Sequence, residues 1–189
     1  MNSPKQAYTQ HWIKAIDETT QDFKRAFGKL SARELNWKPS AEQWSIAQCI
    51  DHIIAINQSY FPILDALRAG TYKAPWHGRF SFFTRFFGHF ILQSVQPDRK
   101  RKSRTFPIWE PDQSELPADI LSRFYKHQEE MKKRIQESED LVASRKVITS
   151  PASRTVVYQL GMAFEIMVSH EKRHFQQAWE VLDLKKKAQ

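Results

Sequence analysis

Apolar side chains recur at three- and four-residue steps in four stretches of the chain, the period of a helix with one buried face. Tyr8, Trp12, Ile16, Thr19, Phe23 and Phe27 form the first stripe and predict a helix over 4–28, stopped by Gly28. The stretch from Ser31 to Gln43 contains Pro39 and scattered polar residues and reads as a connection. Ser45 and Gln48 have the spacing of a capping box, in which hydroxyl and amide satisfy orphan backbone donors. Ile46, Ile50, Ile53, Asn57, Tyr60 and Leu64 carry a second helix toward Gly70. Pro62 lacks an amide donor and predicts a kink or an early end there. A third helix begins near Pro117, a residue suited to a first turn, and runs to about Glu139 with Leu121, Phe124, Gln128, Met131 and Ile135 inward. After a break at Pro151, a fourth covers 154–183, with Val156, Leu160, Ala163, Met167, His170, His174, Ala178 and Val181 on one stripe.

Residues 71–113 interrupt this pattern. Arg79 to Leu92 is crowded with phenylalanine and predicts a short helix; 97–113, with Pro97, Pro107 and Pro111, predicts an extended loop. Strand signals are weak, glycine is scarce at five residues, and no two-residue hairpin turn sits between alternating runs. No internal repeat is visible. The expected fold is all-α: one four-helix bundle domain over residues 1–189, with a long basic, aromatic insertion at 71–113 between the second and third helices.

An aromatic content of 13% is too high for a disordered chain. Cys49 is the only cysteine, so no intrachain disulfide forms, and a lone thiol fits a reducing compartment. The N-terminus is polar, without the apolar core of a secretory signal, and no apolar run is long enough to span a bilayer. The expectation is a soluble, cytoplasmic protein. The net charge of +8 is local in origin: residues 73–104 hold eight basic residues against one acid, a net +7. Four readings fit that segment: a lid packed on the bundle, an interfacial segment on anionic lipid, a nucleic-acid contact, or a clamp for an anionic cosubstrate.

His170 and His174 stand four apart, so both imidazoles share one helix face and can grip the same ion. They also lie on the apolar stripe and should face the interior. The string His170-Glu171-Lys172-Arg173-His174 matches the pattern of zinc peptidases, in which the glutamate is a general base. Against that reading, the extension that supplies a third ligand is absent: Gln177 and Glu180 take the glycine and final histidine positions. A third histidine lies upstream. Trp44-Ser45 opens the second helix, and His52 follows seven residues after the serine.

Together, Trp44-Ser45, His52 and the terminal-helix pattern His170-Glu171-x-x-His174-x-x-Gln177 resemble the DinB/YfiT-like superfamily of four-helix-bundle metalloproteins. The resemblance implies that His52, His170 and His174 bind one divalent ion, with nickel, zinc or iron all open. Such an ion lowers the pKa of a coordinated water or thiol. Characterised members include thiol S-transferases that use glutathione, bacillithiol or mycothiol, and a mycothiol-dependent maleylpyruvate isomerase. The implied function is a metal-dependent transferase or hydrolase acting on a small-molecule substrate, with a low-molecular-weight thiol as possible cosubstrate and a homodimer as the assembly. Glu171 and Gln177 are the candidates for catalytic roles, although Glu171 reads equally as a surface carboxylate pairing with Lys172 or Arg173. Arg99, Arg101 and Arg104 are candidates to receive the carboxylates of a thiol cosubstrate. Cys49, one turn before His52, reads as a further ligand or as inert packing. The alternative function is a non-catalytic metal- or ligand-binding module whose basic 73–104 segment contacts nucleic acid or an anionic membrane.

Overall fold

The computed structural model describes residues 8–97, 107–111 and 115–188. Helix α1 spans Gln10–Phe27 and buries Trp12, Ile16, Thr19, Phe23 and Phe27, as its stripe predicts. Tyr8 departs from that expectation: it precedes the first helical residue and is exposed. The part of the expected first helix before Tyr8 lies outside the described residues. The stretch read as a connection holds a short helix, α2 (Ala32–Asn36). Ser31 and Glu34 close a capping box around its first turn, a signal of the same kind as at Ser45. The Asn36 side chain bonds both backbone groups of Leu116, each at 2.9 Å, and ties the entry of the third long helix to α2.

Helix α3 (Ile46–Ser59) starts on the expected Ser45–Gln48 box. The chain breaks at Tyr60 and resumes as α4 (Phe61–Arg68), with Pro62 in the first turn, where a missing amide costs nothing. In the insertion, a 3₁₀ turn (Trp76–Arg79) leads into α5 (Ser81–Ser94), and a second 3₁₀ turn (Pro107–Trp109) packs on α3. Then follow α6 (Ile120–Glu137) and α7 (Glu139–Ala143).

The weak strand signals conceal one hairpin in the otherwise helical fold. Strands β1 (Val147–Ser150) and β2 (Ser153–Gln159) form an antiparallel hairpin, pairing Val147 with Gln159, Ile148 with Tyr158 and Thr149 with Val157. Its two-residue loop is Pro151-Ala152, between the partners Ser150 and Ser153. Neither loop residue has a positive φ, so the usual Asn-Gly or Asp-Gly signature is absent, and a register shift at Thr149/Ser150 accommodates the turn instead. Residues 154–159 are therefore strand, and the last helix, α8, covers Leu160–Lys187.

Four long helices close a ring: α1 packs on α6 and α8, and α3 packs on the same two, which is the expected four-helix bundle. Its interior has two apolar clusters. One gathers Trp12, Ile16, Tyr60, Met131, Ile135 and Phe164; the other gathers Phe23, Phe27, Ile50, Ile53, Phe124 and Ala178. Each fully buried phenylalanine contributes roughly 2–3 kcal/mol. A polar layer lies between the clusters. On α1 it is Thr20, on α3 Asn57, on α6 Gln128 and on α8 Glu171. Helix α5 lies outside the ring, against β2 and α8, with Thr84 and Gly88 buried at the contact. No helix among the described residues is long and apolar enough to cross a membrane.

Candidate metal centre

His52 projects from α3, and His170 and His174 from α8, the two helices that pack most extensively in the bundle. All three imidazoles are buried, and one nitrogen from each lies within 4.8 Å of the others. The sequence-derived trio is thus brought together. The Nε2 atoms of His170 and His174 approach to 2.9 Å. With metal–nitrogen bonds of about 2.1 Å, neighbouring ligand nitrogens on one ion stand roughly 3 Å apart, so this spacing suits a shared cation.

The protonation chemistry fits as well. His52 donates its Nδ1 proton to the Trp109 carbonyl at 2.6 Å, which leaves the Nε2 lone pair for a ligand. Burial holds His52 down at about 4, against the opposing pull of that hydrogen bond. Burial also pushes His170 and His174 well below the ordinary imidazole value, and neighbouring imidazoles and the Arg173 guanidinium push the same way. At neutral pH the centre is three uncharged rings. Among the described residues the Nδ1 atoms of His170 and His174 have no hydrogen-bond partner, and their Nε2 atoms face each other. At most one N–H can bridge that pair. A cation between the rings would use both lone pairs at once, so the donor set fits a divalent ion.

The surroundings are aromatic and cationic. Trp44 packs on His52 at 4.8 Å between ring centroids and on His174 at 5.8 Å. Arg173 donates to the carbonyls of Ser94 (2.9 Å) and Gln96 (3.5 Å), fastening the end of α5 beside the histidines. Gln177 approaches the His174 imidazole and slightly favours its charged form, as its one-turn spacing suggests, yet no well-formed hydrogen bond reaches Nδ1. An open groove of about 670 Å³ runs between α1 and α8, past Asp22, Phe175 and Trp179, but none of the three histidines lines it.

Two sequence expectations change here. Glu171 is not a surface carboxylate. It is fully buried, and its two oxygens accept from Asn57 (2.7 Å) and Gln128 (2.8 Å). Helix α8 is covered by α1, α3 and α5, so a position 100° from His170 is still interior. Burial raises the carboxyl to about 7, while the two amides oppose the shift. Both carboxylate oxygens of Glu171 are thus engaged by amides of the polar layer. Cys49 packs in the second apolar cluster and is not in the ligand group; burial, with Glu180 adding, pushes its thiol up. Arg99, Arg101 and Arg104 lie outside the described residues.

Three contributors went unassigned in the sequence. Asn57 and Gln128 were visible as polar residues on apolar stripes, the mark of a buried partner. The Trp109 carbonyl left no trace, because a backbone acceptor in an aperiodic loop has no residue signature.

A family model described as the DinB superfamily matches residues 15–178, a span that holds all three histidines. No curated protein and no solved structure matched the chain.

Proposed function

From the premise that the chain belongs to the DinB superfamily, we propose that it holds one divalent metal ion between His52, His170 and His174 and performs metal-dependent transfer or hydrolysis on a small molecule. The observation that carries this reading is the convergence of three buried, neutral imidazoles, with no carboxylate in the group among the described residues. A divalent ion bound there supplies a Lewis acid that lowers the pKa of a small thiol or of water. Nickel, zinc and iron all accept imidazole ligands.

The chain's own residues set the terms. His52 is held in one tautomer by Trp109. Trp44 covers His52 and His174 and keeps solvent off that side. Arg173 adds positive charge near His170 and His174. Neutral ligands beside a guanidinium favour an anion as the incoming group, which is why a thiolate is preferred over a neutral donor. Gln177, near His174, supports that imidazole in this reading.

The test uses the cobalt-substituted protein. Adding glutathione, bacillithiol or mycothiol is expected to produce a sulfur-to-metal charge-transfer band. His52→Ala is expected to lose cobalt affinity sharply while keeping its helical content. A spectrum indifferent to all three thiols rejects thiol activation, and full cobalt occupancy in His52→Ala removes His52 from the site.

A further inference from the structure

The insertion displays an aromatic surface that the metal centre does not use. Trp76, Phe80, Phe82, Phe83, Phe86 and Phe90 are each between 36% and 72% exposed. Their rings form one connected chain. Trp76 meets Phe80 at 6.1 Å, Phe80 meets Phe83 at 6.3 Å, and Phe82 joins Phe83 at 5.7 Å. From Phe82 the rings of Phe86 and Phe90 continue along α5 as near-parallel steps of 6.1 and 6.4 Å. Side chains of this kind belong inside. A protein rarely leaves so many contiguous apolar rings in water without something to cover them.

The folding of α5 explains why they point outward. Its inner face is small: Thr84 and Gly88 are buried against the hairpin and α8, and a side chain at Gly88 would meet Met162 at 2.9 Å. Ile91, Leu92 and Val95 pack on the bundle's apolar cluster. That close seating leaves Phe82, Phe86 and Phe90, one turn apart, on the opposite side.

The charges beside the rings choose the partner. Lys73, Arg79 and Arg85 are exposed and form no ion pair among the described residues. No aspartate or glutamate occurs anywhere from residue 71 to 97. A second copy docking the same face on itself would set these cations against each other. Stacked bases are held by separate aromatic platforms in a groove, whereas Phe82, Phe86 and Phe90 lie near-parallel along one helix side, 6.1 and 6.4 Å apart at interplanar angles of 12–15°, as a continuous apolar ridge. Stacked rings with exposed edges, rimmed by arginine and lysine, match acyl chains under an anionic headgroup layer. Helix α5 has 14 residues, too few to cross a bilayer, so it would lie in the surface.

We propose that Trp76–Phe90 is a peripheral membrane-binding face, which seats its aromatic rings in the outer acyl region of an anionic bilayer while Lys73, Arg79 and Arg85 contact lipid phosphates. The proposal does not rest on a metal being bound at the histidines.

The experiment is sedimentation of the full-length chain with phosphatidylcholine vesicles, with and without phosphatidylglycerol. Binding is expected to need phosphatidylglycerol and to weaken with salt. Replacing Phe82, Phe86 and Phe90 together by Ser keeps the charge and removes only exposed side chains; it is expected to weaken partitioning at least about tenfold. Arg79→Gln with Arg85→Gln is expected to reduce the preference for phosphatidylglycerol. Brominated acyl chains are expected to quench a fluorescence component that is missing in Trp76→Phe. Vesicle binding unchanged in the triple variant overturns the proposal, because the charges elsewhere would then suffice. So does a triple variant that turns a dimer into a monomer, or that loses binding to single-stranded DNA, in a chain that ignores vesicles.

Discussion

His127 is a buried imidazole on α6 with neither ring nitrogen hydrogen-bonded among the described residues, and it stacks on Phe61 at 5.7 Å. The Arg134 guanidinium lies over the same Phe61 ring, and the Glu130 carboxylate favours the charged form of His127. Burial dominates and pushes His127 down to about 4. In the unfolded chain the ring titrates near its ordinary value of about 6.5, so the unfolded state binds more protons between these values. The contribution of His127 to stability is therefore fully present above about pH 6.5 and is lost as the pH falls through about 4. It amounts to about 3 kcal/mol between those limits. His127→Leu is expected to flatten the fall in thermal midpoint between pH 7 and pH 4.5 and to leave stability at pH 7 equal or higher, since no hydrogen bond is lost. An acid limb identical in the variant would assign the loss to other groups.

Among the elements, α5 depends on one position. Gly88 lets its backbone settle on Met162 and Tyr158, and an added Cβ would meet them at 2.9 and 3.4 Å. Alanine brings a helix-propensity gain of about 1 kcal/mol, and the flexible Met162 side chain can give way, so Gly88→Ala is expected to be near neutral. Gly88→Val adds branching that must push the helix off β2 and is expected to cost about 1–3 kcal/mol in urea unfolding. A valine variant with an unshifted urea midpoint would mean that α5 is not seated through this glycine. The helix's other end is held by Arg173 through the Ser94 and Gln96 carbonyls, so the aromatic surface and the histidine helix are mechanically joined.

In the whole molecule, the bundle is divided at mid-height by Thr20, Asn57, Gln128 and Glu171, and the histidines sit on the same side of α8 as the helix that carries His52. The two helices that carry the candidate ligands come from distant parts of the chain, so an ion bound between them would tie α3 to α8. An ion that binds only the folded chain stabilises it by about 2.7 kcal/mol at a free concentration a hundredfold above its Kd. Calorimetry is expected to show a thermal midpoint that rises with added nickel, zinc or iron(II) and falls back with a chelator. The rise is expected to vanish in His170→Ala and in His174→Ala. An equal rise in those variants would place the ion elsewhere.

Helical period alone determined the four long helices, the inward faces of α3 and α6 and the interior position of His170 and His174, because local geometry converts sequence spacing directly into a shared face. The resemblance carried by Trp44-Ser45, His52 and the His170–Gln177 pattern implied the three candidate ligands. Other features needed the tertiary structure. The hairpin was hidden because its Pro151-Ala152 turn uses no positive-φ residue. Glu171 read as a possible surface group because helical spacing gives an angle around α8, not how many neighbours surround it. The same spacing could not show which side of α5 meets the bundle; that was decided by the small Thr84 and Gly88 fitting where phenylalanine could not. The acceptor that fixes His52 is a main-chain carbonyl, and only the return of the insertion to α3 places Trp109 there.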